Sequence, residues 1–335
     1  MSAPKRETFG EKTVSAAKPN GSWGKGDRQV VTFAHERLLA GERIALVTLV
    51  EIEGSSPRPL GAQMAVSESG EWMGYLSGGC IEHAVVAEAI DAIRAGENRQ
   101  VRYGRGSKYF DIVLPCGSAI ELFFDVHLDC NDLARIAGAM AGRTEASLTI
   151  PAHGASPSLV RHFEPERRLV VIGVGPSAVG LARLGAQAGF ETVLYSPDDT
   201  TRSAAEMDGI AAVRLTRTAS PDYRADRRTA VVFMFHDHEW ERQLVPAALR
   251  SEAFYIGALG SRTTHERRVE RLRQLGFTAA DIARIHGPAG IFAGGKSMQD
   301  IAVSILAEVI QADLAGPSLR SPESSGHAET ELLDV

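Results

Sequence analysis

RRLVVIGVGPSAVGLARLGAQAGFETVLYSPDD, residues 167–199, sets how the second half of the chain folds. It reads as a short apolar strand, a tight glycine turn, a helix and a second strand. Gly173, Gly175 and Ala178 match the G-x-G-x-x-G/A spacing, which lets a backbone turn meet a phosphate at a helix N-terminus. Glycines at such a turn equally serve close packing of helix on strand, so the motif alone leaves both roles open. Downstream, AAVRL (211–215), TAVVFMF (229–235) and AFYIGA (253–258) are strand-like runs separated by helical stretches. This alternation predicts a parallel sheet covered on both faces, a Rossmann-like doubly wound domain over residues 165–313. An acid at the end of the second strand, where a ribose 2′-hydroxyl is usually held, is missing: VLYS ends in Ser196, and Asp198 follows only after Pro197. That counts against NAD(P) as the ligand.

The first half has a different rhythm. A helix (30–42), the buried strand IALVTLV (44–50), the loop GSSPRPLGAQM (54–64), a hairpin (64–76), the helix IEHAVVAEAIDAIRAG (81–96) and strands near QVRY (100–103) and IELFFDV (120–126) do not alternate strictly. The expectation is an α+β domain over residues 29–164. Residues 1–28 and 314–335 lack apolar periodicity and read as disordered tails. Two helix starts are signalled by Thr263 with Glu266 and by Ser297 with Asp300, and Gly276 marks a stop.

Composition narrows the function. The chain has 335 residues, 44% hydrophobic and 23% charged, with a net charge of −6. This is the make-up of a globular protein, and its negative charge argues against nucleic acid or an anionic membrane surface. Three cysteines, Cys80, Cys116 and Cys130, have no CxxC spacing and no disulfide framework, which fits a reducing cytoplasm. No signal-peptide core and no apolar run of about 18 residues is present, so neither export by that route nor a membrane span is expected.

Donor-rich stretches are concentrated in the first domain. Ser77, Gly78, Gly79 and Cys80 directly precede a helix, where backbone N–H groups face an anion and the dipole lowers the pKa of a thiol. A space-filling cysteine is the competing reading. Ser55, Ser56 and Arg58 bring hydroxyl and guanidinium donors between two prolines, suited to a phosphate or a polar heterocycle, although a stiff strand connection has the same composition. Cys116 sits in a Pro-Cys-Gly turn before a strand. In the second domain His236, Asp237, His238 and Glu239 form a metal-like run, but strand alternation sends His236 and His238 to opposite sides unless the chain turns there. Arg262, at a helix entrance, is placed to reach an anion at the strand ends. Arg267, Arg268, Arg271 and Arg273 read as a solvated face.

Taken together, GSSPRPLGAQM, LSGGCIE, the Pro-Cys-Gly turn, VVIGVGPSA, HDHEW, YIGALGSRTTHERR and IHGPAGIFAGGKSMQDIAVSILAEVI resemble the XdhC/CoxI family of xanthine dehydrogenase accessory proteins, over about residues 30–312 and in order. The resemblance implies a cytoplasmic maturation factor, not an enzyme. Such a chaperone binds molybdenum cofactor (molybdopterin), supports its sulfuration by a cysteine desulfurase, and inserts it into an apo molybdenum hydroxylase of the xanthine dehydrogenase or aldehyde oxidase type. By resemblance, the cofactor-binding residues are Ser55, Ser56, Arg58, Gly78, Gly79, Cys80, Glu82, Cys116, Gly173, Gly175, Ala178, His236, Asp237 and Arg262, and a homodimer is expected. The family often has Asp-Pro-Arg after the second Rossmann strand, where this chain has Ser196-Pro197-Asp198. An NAD(P)-dependent oxidoreductase is the alternative reading, with a metal enzyme built on His236 to Glu239 behind it.

Overall fold

The computed structural model describes residues 21–22, 26–107, 118–151, 158–216, 223–235, 238–292 and 297–316. These fall into two compact units, one running through Ala134 together with Pro151 and Ser158, the other comprising Arg135–Ile150 and the described residues from Leu159 onward.

The first unit contains β1 (Gly21–Ser22), α1 (Asp27–Leu39), β2 (Ile44–Glu53), β3 (Gln63–Ser67), β4 (Trp72–Gly74), α2 (Glu82–Ala95), β5 (Arg99–Gly104) and β6 (Ala119–Asp125), and the division between units falls inside α3 (Cys130–Ala141). Its six-stranded sheet has the order β1-β4-β3-β2-β6-β5, antiparallel except for the short β1–β4 pair. Alternation along β2 and β3 splits the core. Ala45, Val47, Leu49, Met64 and Val66 join Val85, Ala89 and Ile93 of α2 in one cluster. Ala65 and its neighbours point to the other face, where α1 lies so close that a Cβ at Gly74 would stand 2.9 Å from Val30 Cγ2. The α+β expectation is met.

The second unit opens with the hairpin β7 (Ala146–Ile150) and β8 (Leu159–Phe163). There follow β9 (Arg168–Gly173), α4 (Pro176–Gln187), β10 (Glu191–Ser196), α5 (Asp199–Met207), β11 (Ala211–Arg214), β12 (Thr229–Met234), α6 (His238–Leu249), β13 (Tyr255–Ala258), α7 (Arg262–Gln274), α8 (Ala279–Ala283), β14 (Ile285–His286) and α9 (Met298–Ala315). The sheet order β11-β10-β9-β12-β13-β14, parallel throughout, is that of a Rossmann fold, with the switch point between β9 and β12. One face packs on α4 and α9, through Ala178, Leu181, Ala182, Ile305 and Val309. The other packs on α6 to α8, through Leu244, Val245, Leu272 and Ile282.

Two local expectations change. The cap of α7 is Ser261, whose Oγ accepts from Thr264 N at 3.1 Å, rather than Thr263. Gly260, at φ 142°, lets the chain swing into the helix two residues earlier. Arg268 is also not solvated. It lies one turn before buried Leu272 on the inner stripe of α7, 5% exposed, and its guanidinium forms a two-bond pair with Glu241 at 2.8 and 2.9 Å. Ser297 does cap α9 by accepting from Asp300 N, and Gly276 follows α7 at φ 83°.

Gly173 is fixed by packing. A Cβ there would stand 2.6 Å from Met234 Cβ and 2.7 Å from Met234 O, where β9 and β12 run side by side. Gly173→Ala is therefore expected to cost about 1–3 kcal/mol of stability through overpacking, read as a lower denaturation midpoint of the full-length chain. An unchanged midpoint would mean that β12 yields freely at this point.

Candidate functional site

Two reversals of chain direction build the site of the first unit. β2 runs out to Glu53, β3 returns from Gln63, and β4 runs out again to Gly74, which pairs with Met64. The loops 54–62 and 75–81 consequently emerge at one end of the sheet, where Ala119 at the start of β6 pairs with both Glu53 and Gly104. Gly54, at φ 86°, turns tightly against Ser118; an added Cβ would be 3.2 Å from Ser118 Cβ. Cys116 itself lies outside the described residues.

Arg58 and Tyr75 meet across this end. The guanidinium carbon of Arg58 lies 4.4 Å from the centroid of the Tyr75 ring, and Nη1 donates to the Tyr75 hydroxyl at 3.2 Å. Such a cation–π contact contributes about 0.5–2 kcal/mol, depending on how dry it is. Ser56 Oγ accepts from Arg58 N at 3.2 Å and tightens the loop behind the side chain, while Ser55 is exposed. Arg58 Nε is enclosed and has no acceptor among the described residues. Other arginines at this end are neutralised: Arg102 and Arg105 both pair with Glu53, and Arg102 reaches Glu121 at 3.3 Å.

The glycine turn before α2 does not offer its amides in the way the sequence suggests. Glu82 folds back into the turn, 1% exposed, and accepts from the N–H groups of Leu76 (3.0 Å), Ser77 (2.8 Å), Gly79 (2.9 Å) and Ile81 (3.2 Å), with the Ser77 hydroxyl adding a fifth donor at 2.9 Å. Burial would raise this carboxyl, but the N–H groups of Ser77 and Leu76 and the Ser77 hydroxyl outweigh it and hold the pKa below the usual range. Gly78 and Gly79, at φ 85° and 115°, permit the wrap, and it leaves Cys80 exposed as a free thiol at the crest of the loop. Glu82 thus acts as the turn's internal anion, and a ligand phosphate there would have to compete with it.

The Rossmann turn of the second unit is likewise filled from within. Gly175 takes φ 82° as the cap of α4, and its N–H donates to Thr201 Oγ1 at 2.9 Å. Thr201, 3% exposed, donates its hydroxyl to Asp198 at 2.6 Å, and Asp198 also caps α5 by accepting from Thr201 N at 2.7 Å. The side-chain and backbone hydrogen bonds from Thr201 hold the Asp198 carboxyl below its ordinary range. Pro176, in the first turn of α4, has no N–H to give. Ser196 is fully buried, with Oγ accepting from Asp198 N at 3.2 Å. A dinucleotide in the usual Rossmann pose would have to compete with Thr201 for the second-glycine amide, and Asp198, the first acid after β10, already serves as a cap. Ala178 is 0% exposed and serves close packing of helix on strand.

The comparisons with known proteins agree with this architecture. Residues 169–309 match the model of the XdhC Rossmann domain, and residues 38–104 match that of the XdhC and CoxI family. The molybdenum cofactor insertion chaperone PaoD of Escherichia coli is 34% identical over 84% of this chain and 87% of its own length. The chain belongs to the XdhC and CoxI family. A protein of Bacillus subtilis described as a probable xanthine dehydrogenase subunit is 23% identical, across 81% of this chain and 93% of its own. The crystal structure of a protein described as a xanthine dehydrogenase from Bacillus halodurans shares the fold, with a TM-score of 0.68 at 21% identity, covering 87% of this chain and 98% of that one.

Within this XdhC/CoxI-family chain, Ser55, Ser56, Arg58, Gly78, Gly79 and Cys80 gather at one end of the first sheet, and Glu82 holds one of their loops from inside. Gly173, Gly175 and Ala178 shape the Rossmann turn. Arg262 is exposed at the first residue of α7, on the side where β13 ends. His236 and Asp237 lie outside the described residues, as do the side chains of His238 and Glu239. Among the described residues no group of three or more His, Cys, Asp or Glu side chains is arranged to hold a metal ion, and no helix is long and apolar enough to cross a membrane. The sequence reading missed Tyr75 and Thr201. The signal for Tyr75 was its place just before the SGG turn; Thr201 carried none, because its partner lies 26 residues away.

Proposed function

We propose that this chain carries molybdenum cofactor and inserts it into an apo molybdenum hydroxylase of the xanthine dehydrogenase or aldehyde oxidase type, supporting sulfuration of the cofactor by a cysteine desulfurase on the way. The observation that carries the proposal is the near full-length kinship with a relative named for cofactor insertion. The chemistry of the first unit agrees with it. A pterin phosphate with a dithiolene-bound metal calls for a cation, hydroxyl donors and a ligand that yields its cargo without reacting, and Arg58, Ser55, Ser56 and the Cys80 thiol supply these. In this reading the chain orients and shields its cargo, acting as carrier and not as catalyst, and works in the cytoplasm as a homodimer.

The test is retention of molybdenum cofactor by the purified full-length chain on ultrafiltration, followed by fluorescence of the oxidised pterin. Retention weakened at least several-fold by Cys80→Ala is expected; free passage of the cofactor through the filter would remove the carrier reading.

The same filtration assay decides the oxidoreductase alternative. With the Gly175 amide held by Thr201 and Asp198 used as a cap, NADH and NADPH are expected to show no saturable binding up to about millimolar concentration, which corresponds to less than roughly 4 kcal/mol of affinity. Micromolar binding of either nucleotide would reverse the ranking of the two functions.

A further inference from the structure

The two candidate anion sites of the first unit are not equivalent. In the glycine turn, the N–H groups of Leu76, Ser77, Gly79 and Ile81 are all committed to Glu82. Arg58 is in the opposite condition. Its Nη1 is anchored on the Tyr75 hydroxyl and its flat face on the Tyr75 ring, and the buried Nε has no acceptor among the described residues. Among the described residues no carboxylate pairs with Arg58, whereas Arg102 and Arg105 at the same end of the sheet share Glu53. With Nη1 and one face held by Tyr75, the edge left for a ligand is Nε with Nη2, which matches two oxygens of a phosphate; Nε is enclosed in this structure, so a phosphate that takes both must displace the atoms around it. An enclosed, unpaired donor is also rare in a folded protein and marks a place where an acceptor belongs.

We infer that Arg58, fixed by Tyr75, is the receptor for the phosphate of the carried pterin, and that Tyr75 is the positioning residue that presents it. This rests on the carrier reading and deepens it by assigning one end of the cargo. The phosphate lies against Arg58, which leaves the glycine turn and the exposed Cys80 to the rest of the molecule. The shared chemistry is a phosphomonoester dianion, so free inorganic phosphate is a competitor for the same edge.

The experiment compares binding of the oxidised fluorescent pterin, with and without its phosphate, to the full-length chain, alongside retention of intact molybdenum cofactor. The wild type is expected to prefer the phosphorylated pterin by roughly 10–100-fold, the range for a hydrogen bond to a charged group, and inorganic phosphate is expected to compete. Arg58→Ala should erase the preference, so that the phosphorylated and dephosphorylated forms bind alike. Arg58→Lys should restore part of it by charge alone. Tyr75→Leu should lower the preference as Arg58→Ala does, Tyr75→Phe should keep most of it through the ring contact, and Tyr75→Leu should have no further effect in the Arg58→Ala background. A preference that survives Arg58→Ala, or its absence in the wild type, overturns the assignment while retention of intact cofactor leaves the carrier reading standing. If the wild type retains neither the cofactor nor either pterin, both fall. Full effects of Tyr75→Leu in the absence of Arg58 would show that the ring meets the ligand directly and would overturn the positioning role.

Discussion

Glu82→Ala is expected to destabilise the first unit by about 2–4 kcal/mol and to abolish ligand retention with it. The carboxylate satisfies four backbone N–H groups and one hydroxyl. Leu76 is fully buried, so its N–H finds no water when the acceptor is removed, whereas the buried Ile81 N–H keeps Ser77 Oγ as a second acceptor at 3.3 Å. A buried donor left unpaired costs about 1–3 kcal/mol, so Leu76 carries most of the effect, and the Ser77 N–H and hydroxyl, which lose their charged acceptor, add the rest. Gly78 and Gly79 are exposed, so the Gly79 N–H regains water and adds little. Glu82→Gln keeps the volume but turns an amide NH2 toward donors, and so it should recover only a minor part. Urea denaturation of the full-length chain, followed by a probe in each unit, checks this. A loss below about 1 kcal/mol would mean that the turn rearranges to satisfy itself.

The same carboxylate sets an acid limit. Its pKa in the folded chain lies below the ordinary glutamate value, so its contribution is complete above the unfolded value of about 4.3 and is lost as pH falls through the lower folded value. Wild-type stability should therefore drop on acidification below about pH 4, and the Glu82→Ala chain, already lacking the contribution, should drop less over the same interval.

Glu241→Ala is expected to have an effect of similar size in the second unit, about 3–5 kcal/mol, because it leaves the Arg268 guanidinium buried without its carboxylate. Arg268 is 5% exposed and Glu241 3%. Beyond that carboxylate, the guanidinium reaches Leu259 O at 2.9 Å and His265 Nδ1 at 3.3 Å, and neither carries a compensating charge. The His265 contact requires Nδ1 to accept, and burial together with the Arg268 charge holds that imidazole below its usual pKa, in its neutral form. Removing both charges together, with Glu241→Leu and Arg268→Met, should recover most of the loss, since an apolar pair of similar volume avoids the desolvation of two ions. Equal destabilisation by the double and single changes would show that the pair is needed for the packing of α6 on α7 beyond its charge.

Much of the frame was legible in the chain. The apolar runs around Leu169–Ile172, Thr229–Met234 and Tyr255–Ala258 are long enough to be buried strands, and with helices between them they admit a parallel sheet and little else. The β2–β3–β4 meander and α2 were legible for the same reason, since periodicity is a local property. The same local view misjudged Arg268, whose charge reads as solvent-facing until Glu241, 27 residues away, is brought beside it. It also read the turn at 77–81 as presenting its amides to an anion, and left open whether the turn at 173–178 serves a phosphate or close packing.

The order of elements, the two fold types and the set of polar residues at the loops each depend on neighbours within a few positions, and so the chain specifies them when read in short windows. Which donors are free was settled by the three-dimensional fold alone. Glu82 turns back into the loop it follows, Thr201 reaches the Gly175 amide from the next helix, and two strand reversals bring Arg58 onto Tyr75. Hydrogen bonds saturate, so a donor's availability depends on whichever acceptor the fold delivers to it, and sequence spacing does not record that delivery.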